Sequence, residues 1–181
     1  MQIEVFQEPF PYIHFSNVLS INTSTKILSE LENQTNWIRV KRHLYELDVL
    51  EQISSAPISY HEPDILEFLD KVHKCISDQF GIVLDRKVQL HIHRFSLGTA
   101  ISLHTDSAEQ GARLVIFLKS ILKSTEGGYL LLVNSLSGTT KLIAPTNNTA
   151  VLFFTHSDWF HAVTEQTEGT RYSMVFQLFR K

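Results

Sequence analysis

The chain has 181 residues, of which 43% are hydrophobic and 19% charged, and this balance is ordinary for one globular domain. The net charge of −3 gives no broad basic surface, so nucleic acid is not an expected partner. No run approaches the roughly 18 consecutive apolar residues of a membrane span. Residues 1–5 also lack the basic and apolar regions of a signal peptide. We therefore expect no membrane partner and a cytoplasmic location.

The first 86 residues contain two predicted helices. Residues 10–20 favour a strand and a turn, and the apolar spacing over 24–33 predicts the first helix. The second helix, 63–80, starts at a proline, which the first helical turn tolerates, and carries an apolar stripe that is typical of core packing. Its Cys75 is the single cysteine, expected to be buried. One cysteine excludes an intrachain disulfide and is consistent with a reducing compartment.

From Lys87 onward the pattern changes to short apolar runs separated by turn signals, which predicts strands. The predicted strands are 87–95, 99–104, 112–119, 129–133, 140–144, 149–155, 159–163 and 171–179. Eight short strands at this spacing favour a jelly roll or a sandwich. We predict one domain over 1–181, with a helical support in 1–86 and a jelly-roll core in 87–181.

Two histidines and one aspartate form the most informative pattern in this half of the chain. His104 and Asp106 are two residues apart, so a strand would project both from one face, and His161 follows 57 residues later. Two imidazoles and one carboxylate are the donors of a facial triad, which holds Fe(II) and leaves other metal positions open. A second triplet, 156–158, has the same His-x-Asp spacing, but only His161 lies beyond it, and we predict that it faces solvent near a strand end.

A cationic residue that suits an organic acid lies ten residues after His161. Arg171 and Ser173 share one face of the last predicted strand, where both can bind the same carboxylate. The polar segment 165–170 before them contains Gly169 and predicts a hairpin that pairs this strand with the strand of His161. The acid would then lie between the metal ion and Arg171.

These motifs together resemble the Fe(II)- and 2-oxoglutarate-dependent oxygenases, in particular the prolyl-hydroxylase-like branch. Residues 94–106, Arg-Phe-Ser-Leu-Gly-Thr-Ala-Ile-Ser-Leu-His-Thr-Asp, resemble that branch's R-Y-x-x-G-x(5)-H-x-D. Residues 126–130 resemble its G-G-x-L strand entry, residues 153–163 its distal-histidine segment and residues 169–173 its G-x-R-x-S ending. The resemblance covers roughly residues 87–181 and is specific for the superfamily, not for a substrate.

The resemblance implies a fold, a cofactor set and a reaction. The fold would be mainly β with flanking helices, a double-stranded β-helix of the cupin-like jelly-roll type. His104, Asp106 and His161 would ligate Fe(II), and Arg171 with Ser173 would bind the distal carboxylate of the cosubstrate 2-oxoglutarate. With O2, the family hydroxylates its substrates and releases succinate and CO2. Because halogenating relatives have a small residue in place of Asp106, hydroxylation or desaturation is favoured here.

The chain departs from the branch where tyrosines often contact the cosubstrate. Phe95 replaces one tyrosine, and Phe117 stands where the strand of the branch ends in Tyr-Leu-Asn. His91 and His93 share a strand face with Phe95 and are candidates to supply replacement hydrogen bonds. A partly exposed packing pair is an equal interpretation for these two histidines.

Other functions remain compatible with the sequence. The main alternative is a catalytically inactive cupin-like domain that binds a metal or another ligand, and a third is a metal-dependent isomerase or dioxygenase that does not use 2-oxoglutarate. Gln177 stands where nucleic-acid demethylases carry a second arginine, which disfavours that branch. We expect a small-molecule, amino-acid or peptide substrate, a rim or lid in 36–62 and 105–111, and a monomer or homodimer.

Overall fold

The computed structural model describes residues 1–50, 62–106, 111–119 and 126–181. Within these ranges the chain forms two helices and twelve strands. Their bounds are β1 Gln2–Phe6, β2 Tyr12–Ser16, α1 Ile21–Glu32, β3 Trp37–Arg42, β4 Tyr45–Leu50, α2 Pro63–Phe80, β5 Leu84–Phe95, β6 Ala100–His104, β7 Ala112–Leu118, β8 Leu130–Asn134, β9 Thr140–Ile143, β10 Thr149–Phe154, β11 Trp159–Val163 and β12 Arg171–Arg180.

The strands form one strongly curled antiparallel sheet. Its order is β1-β2-β10-β7-β12-β5-β4-β6-β11-β8-β9, and β3 pairs with the remaining edge of β4. Strand β4 joins the two halves of the sheet, because Val49 pairs with His93 of β5 while Tyr45 pairs with Ile101 of β6. This curl is the double-stranded β-helix, so the predicted fold class is confirmed.

The two faces of the sheet at β5, β7 and β12 have different surroundings. Alternate residues of β5, β7 and β12 face the helices and form the main core, among them Ile92, Ile116 and Met174. The residues between them face the hollow inside the curl, where His93, Ser173 and Phe117 stand side by side in the register. One face is therefore covered by helices, and the other is left to line a cavity.

Both helices have local signals for their ends. The Ser20 side chain accepts a hydrogen bond from the Thr23 amide at the start of α1, and Gly81 takes a left-handed φ of 66° after α2. The apolar stripe of α2 is buried as predicted, through Ile65, Phe68, Leu69, Val72 and Ile76. No helix in the described ranges is both long and apolar enough to cross a bilayer.

The structure differs from the sequence-based expectations in residues 1–86. All eight strands predicted after Lys87 are present within three residues of their expected ends, and the strand expected in 10–20 is β2. Strands β1, β3 and β4 were not predicted and add to the two expected helices. Of the predicted rim and lid, 37–50 form the β3–β4 hairpin, whereas 51–61 and 107–110 lie outside the described residues.

The predicted hairpin between the strands of His161 and Arg171 is wrong. Strand β11 pairs with β6 and β8, whereas β12 lies between β5 and β7. The connecting segment is bound to other loops, because the Gln166 amide donates to the Thr99 carbonyl and the Thr167 amide to the Glu126 carbonyl. The segment therefore crosses from one half of the sheet to the other instead of turning back.

Candidate active site

The register of two strands brings the predicted triad together. His104 ends β6 and lies directly opposite His161 of β11, and Asp106 follows two residues after His104. One donor atom from each of the three side chains lies within 4.8 Å of the others. The Asp106 Oδ2 to His161 Nε2 distance is 3.6 Å. The arrangement is that of a group able to hold one metal ion.

The protonation and orientation of these side chains suit metal binding. His104 Nδ1 lies 2.8 Å from the Ser102 carbonyl, which can only accept, so Nδ1 donates and Nε2 is the nitrogen left for a metal ion. Burial lowers the pKa of His161 to about 4, which keeps this imidazole neutral. Burial opposes ionisation of Asp106, but hydrogen bonds and charge from Arg113 outweigh it and lower the pKa of that carboxyl. Neutral imidazoles and an ionised carboxylate are the metal-binding forms.

Arg171 lies on the other wall of the cavity and is buried without an anionic partner among the described residues. It is only 2% exposed, and its Nη1 donates to Ser173 Oγ. Its Nε has no hydrogen-bond partner in the described part of the chain. Burial lowers the pKa of this guanidinium to about 9, so it still carries its charge at neutral pH. A buried cation with a free donor is a site that an anion would stabilise.

The two phenylalanines that replace family tyrosines pack against this arginine. The Arg171 guanidinium carbon lies 3.9 Å from the centre of the Phe95 ring and 5.6 Å from that of Phe117. Cation–π contact offsets part of the cost of burying the charge. A phenylalanine therefore holds Arg171 in place where a tyrosine hydroxyl would offer a hydrogen bond.

His91 and His93 also face the cavity, from neighbouring positions of β5. His93 is paired across the strands with Ser173, and the centres of the two imidazole rings are 6.3 Å apart. Burial, followed by the positive charges around it, lowers the pKa of His93 to about 3. His93 is thus a neutral imidazole next to the Arg171–Ser173 pair.

One cavity of about 500 Å³ contains all seven residues proposed from the sequence. This volume is in the range of ligand pockets for small molecules. Most of its remaining wall is apolar, and the β3–β4 hairpin contributes Val40, Leu47 and Val49. Trp159, Tyr129 and Lys119 do not line it. Lys119 instead forms a buried ion pair with Glu126.

Sequence reasoning missed two residues of the cavity region. Arg113 lines the cavity from β7 and donates to both oxygens of Asp106, and Gln177 of β12 accepts from Arg113. The available signal was an arginine inside a strand that is otherwise apolar, Ala112–Leu118. A charged residue on a buried strand needs a partner, and Asp106 lies at the end of the nearby motif.

The second His-x-Asp triplet lies elsewhere, as predicted. His156 and Asp158 pair with each other, with 3.3 Å between His156 Nδ1 and Asp158 Oδ2, and His156 is exposed. Neither residue belongs to a metal-binding group among the described residues.

Comparison with known families agrees with this geometry. The sequence model of the 2OG-Fe(II) oxygenase superfamily matches residues 90–178, a range that begins on β5, includes the triad and ends on β12. The chain belongs to the 2OG-Fe(II) oxygenase superfamily. No curated protein sequence matches this oxygenase significantly.

Solved structures of prolyl hydroxylases share the fold of this oxygenase at low sequence identity. A Pseudomonas putida prolyl-4-hydroxylase is 14% identical with a TM-score of 0.77, covering 94% of this chain and 92% of its own. A Trichoplax adhaerens prolyl hydroxylase, solved with a hypoxia-inducible-factor peptide fragment, is 16% identical with a TM-score of 0.72, covering 93% and 83%. A viral collagen prolyl hydroxylase from Paramecium bursaria chlorella virus-1, solved with 2OG, is 12% identical with a TM-score of 0.66, covering 94% and 96%.

The donor set of this oxygenase fits the cofactors that its family implies. Two imidazoles and one carboxylate fit Fe(II), and they leave metal positions for a cosubstrate. Arg171 Nε, which has no hydrogen-bond partner within the described ranges and is buried in the same cavity, fits one carboxylate of 2-oxoglutarate. The cavity can therefore accommodate a metal ion and a dicarboxylate together.

Proposed function

We propose that this oxygenase uses Fe(II), 2-oxoglutarate and O2 to hydroxylate a small molecule, an amino acid or a peptidyl residue, releasing succinate and CO2. The proposal is carried by Arg171, which is buried without an anionic partner among the described residues and lies in the same cavity as the triad donors. The buried cation would be stabilised by an anion, and the three donors suit a metal ion. One dicarboxylate molecule could bind the metal ion at one end and the Arg171 guanidinium at the other.

Each residue has a defined task in this proposal. His104, Asp106 and His161 hold the iron, whose bound form supplies the activation of O2. Arg171 binds the distal carboxylate through its planar fork, and Ser173, which accepts from Arg171, orients the guanidinium. Phe95 and Phe117 keep water from this end of the cavity, and a dry surrounding strengthens the ion pair between Arg171 and the carboxylate.

His93 and His91 replace the missing tyrosine hydroxyls in this proposal. His93 stands beside Ser173 in the register and is neutral, so one ring nitrogen is a donor for a carboxylate oxygen. His91 lies one step further along the same face of β5, 6.3 Å from His93 between ring centres, and borders the space left for the substrate.

The kind of substrate is proposed more broadly. A cavity whose wall is mostly apolar suits a substrate with an apolar part, and the Trichoplax relative was solved with a peptide. We keep the small-molecule, amino-acid and peptide classes together. The single-domain organisation over 1–181, cytoplasmic location, lack of a nucleic-acid partner, and action as a monomer or homodimer belong to the same proposal.

The test is anaerobic addition of Fe(II) to metal-free protein, followed by titration with 2-oxoglutarate and visible absorption. We expect a metal-to-ligand charge-transfer band that requires both additions. Arg171→Met should weaken 2-oxoglutarate binding more than about 10-fold, because the lost hydrogen bonds were made to a charged group. Arg171→Lys should bind at an intermediate level, and Arg180→Met, at the exposed end of the same strand, should match the unaltered protein. An unchanged titration in Arg171→Met would contradict the proposed clamp.

The alternative of an inactive binding domain is favoured by one observation, the replacement of both tyrosines by Phe95 and Phe117. Such a domain would bind metal but would form no charge-transfer band with 2-oxoglutarate. It would also produce no succinate under O2 with any compound of a substrate screen. The same titration therefore separates the two functions.

A further inference from the structure

Arg113 holds the carboxylate of Asp106 through a two-pronged contact. Arg113 Nε donates to Asp106 Oδ2 at 2.7 Å, and Nη2 donates to Oδ1 at 3.2 Å. Only 14% of the Arg113 side chain and 13% of the Asp106 side chain are exposed. The pair is thus a largely buried, bidentate ion pair, which is the most directional arrangement of these two groups.

A second residue fixes the orientation of Arg113. Its remaining terminal nitrogen, Nη1, donates to Gln177 Oε1 at 2.9 Å. Gln177 lies directly opposite Arg113 in the register of β12 and β7 and is itself buried. The guanidinium is therefore bound along two of its edges, so its position relative to Asp106 follows from the register of the sheet.

This contact limits how Asp106 can bind a metal. A carboxylate has about four lone-pair sites, an inner and an outer one on each oxygen. A two-pronged guanidinium contact occupies the inner site of each oxygen. A chelating metal ion would need the same two sites. What remains is the outer side of each oxygen, and Oδ2 is the oxygen that lies 3.6 Å from His161 Nε2.

We propose that Arg113 is a positioning residue that restricts Asp106 to one-oxygen metal ligation. This inference rests on the proposed function, because it concerns the metal that the triad would hold. A chelating Asp106 would take a metal position that a bidentate cosubstrate needs. By occupying the chelating side of the carboxylate, Arg113 keeps that position available, and Gln177 maintains Arg113 in the required orientation.

The first test is the infrared difference spectrum between Zn(II)-loaded and metal-free protein labelled with 13C-aspartate. The gap between the asymmetric and symmetric carboxylate stretches is wide for one-oxygen ligation and narrow for chelation. We expect a wide gap in the unaltered protein and a narrow one in Arg113→Met. Arg94→Met is the matched control, since it breaks a comparable ion pair between Arg94 of β5 and Asp48 of β4, and it should keep the wide gap.

The second test measures 2-oxoglutarate binding to the Co(II)-loaded protein. In Arg113→Met the dissociation constant should rise about 10-fold or more, as is typical when a residue that supports a metal ligand is lost. Arg113→Lys retains the charge but not the fork, so it should behave like Arg113→Met in both tests. This second variant separates geometry from charge.

The outcomes are distinct. A wide gap in Arg113→Met, or full recovery in Arg113→Lys, would overturn the inference while leaving the triad and the proposed function intact. If the unaltered protein binds no Zn(II), the metal site itself is wrong, and the inference falls with it.

Discussion

At the scale of single residues, Arg171 is the most costly side chain to bury and the best guide to function. A guanidinium removed from water loses hydration that one hydroxyl and two aromatic rings replace only in part. Its pKa, lowered by burial to about 9, is the measure of that loss. A protein that served structure alone would gain by an apolar residue at this position. The retained cation therefore supports the proposal that an anion binds it.

Gly128 makes room for this arginine. It has a left-handed φ of 67°, and a Cβ at this position would clash with Gln166 Oε1 and lie 2.8 Å from Arg171 Nε. We expect Gly128→Ala to displace the guanidinium and to weaken 2-oxoglutarate binding to the metal-loaded protein by about 10-fold, equivalent to ~1.4 kcal/mol. Gly138→Ala is the control, because Gly138 has a similar φ of 71° but open space around it. If both variants lost the same amount of 2-oxoglutarate affinity, backbone strain and not contact with Arg171 would determine the effect.

The two His-x-Asp triplets provide an internal comparison for the metal site. Asp106→Ala should lower Co(II) affinity by more than about 100-fold, because it removes an anionic ligand. The loss of a metal ligand should exceed the usual effect of losing a residue that only supports one. Asp158→Ala, in the solvent-facing triplet, should leave the affinity unchanged. Calorimetric titration of both variants with Co(II) checks the assignment. A similar loss in both would contradict it.

At the scale of elements, the sequence was sufficient wherever the signal was local. Strand β12 alternates between residues that face the helices and residues that face the cavity, and its pattern predicted both the strand and the shared face of Arg171 and Ser173. The partners of that strand were not predictable, because residues 164–170 have the polar composition of a hairpin turn yet bond to the loops at Thr99 and Glu126. Arg113 was missed for the same reason, since its partners Asp106 and Gln177 come from other elements.

One buried carboxylate of the β3–β4 hairpin adds a side-chain link to β5, beside the backbone pairing of β4 with β5 and β6. Asp48 is 2% exposed and accepts from Arg39 Nε at 2.5 Å and from Arg94 Nε of β5 at 2.9 Å. We expect Asp48→Ala to lower the free energy of unfolding by about 2 kcal/mol, because two charged hydrogen bonds are lost at a partly exposed site. Urea unfolding measures the change.

The control for Asp48 is another aspartate with an arginine partner. Asp70 pairs with Arg86 at the surface, where both side chains are more than half exposed. Asp70→Ala should therefore change the free energy of unfolding by no more than about 0.5 kcal/mol. If both substitutions had the same small effect on the free energy of unfolding, the hydrogen bonds of Asp48 would not help to hold the hairpin on the sheet.

At the scale of the whole molecule, one sheet serves as both scaffold and site. Helices α1 and α2 cover the outer face of β5, β7 and β12, and this burial supplies the main apolar core. The inner face is thereby free to carry groups that cost stability, such as Arg171, Arg113 and His93. The described fold thus stabilises a polar interior through the apolar layer behind it.

This division predicts how stability depends on pH. His93 has a folded-state pKa of about 3, against 6.5 for an ordinary histidine, because burial and then the charges of His91, Arg171 and Arg113 disfavour its protonation. Between these values the unfolded chain binds a proton at this position and the folded chain does not, so stability falls as the pH falls below about 6.5. From pH 7 to pH 5, His93 should lower the free energy of unfolding by about 2 kcal/mol.

Urea unfolding of metal-free protein at both pH values measures this loss. In His93→Gln the loss of unfolding free energy should be smaller than in the unaltered protein by that amount. His43→Gln, at the exposed hairpin turn, should keep the loss of the unaltered protein. An equal loss in His93→Gln would mean that His93 is protonated in the folded protein, and its proposed role as a neutral donor beside Ser173 would then be wrong.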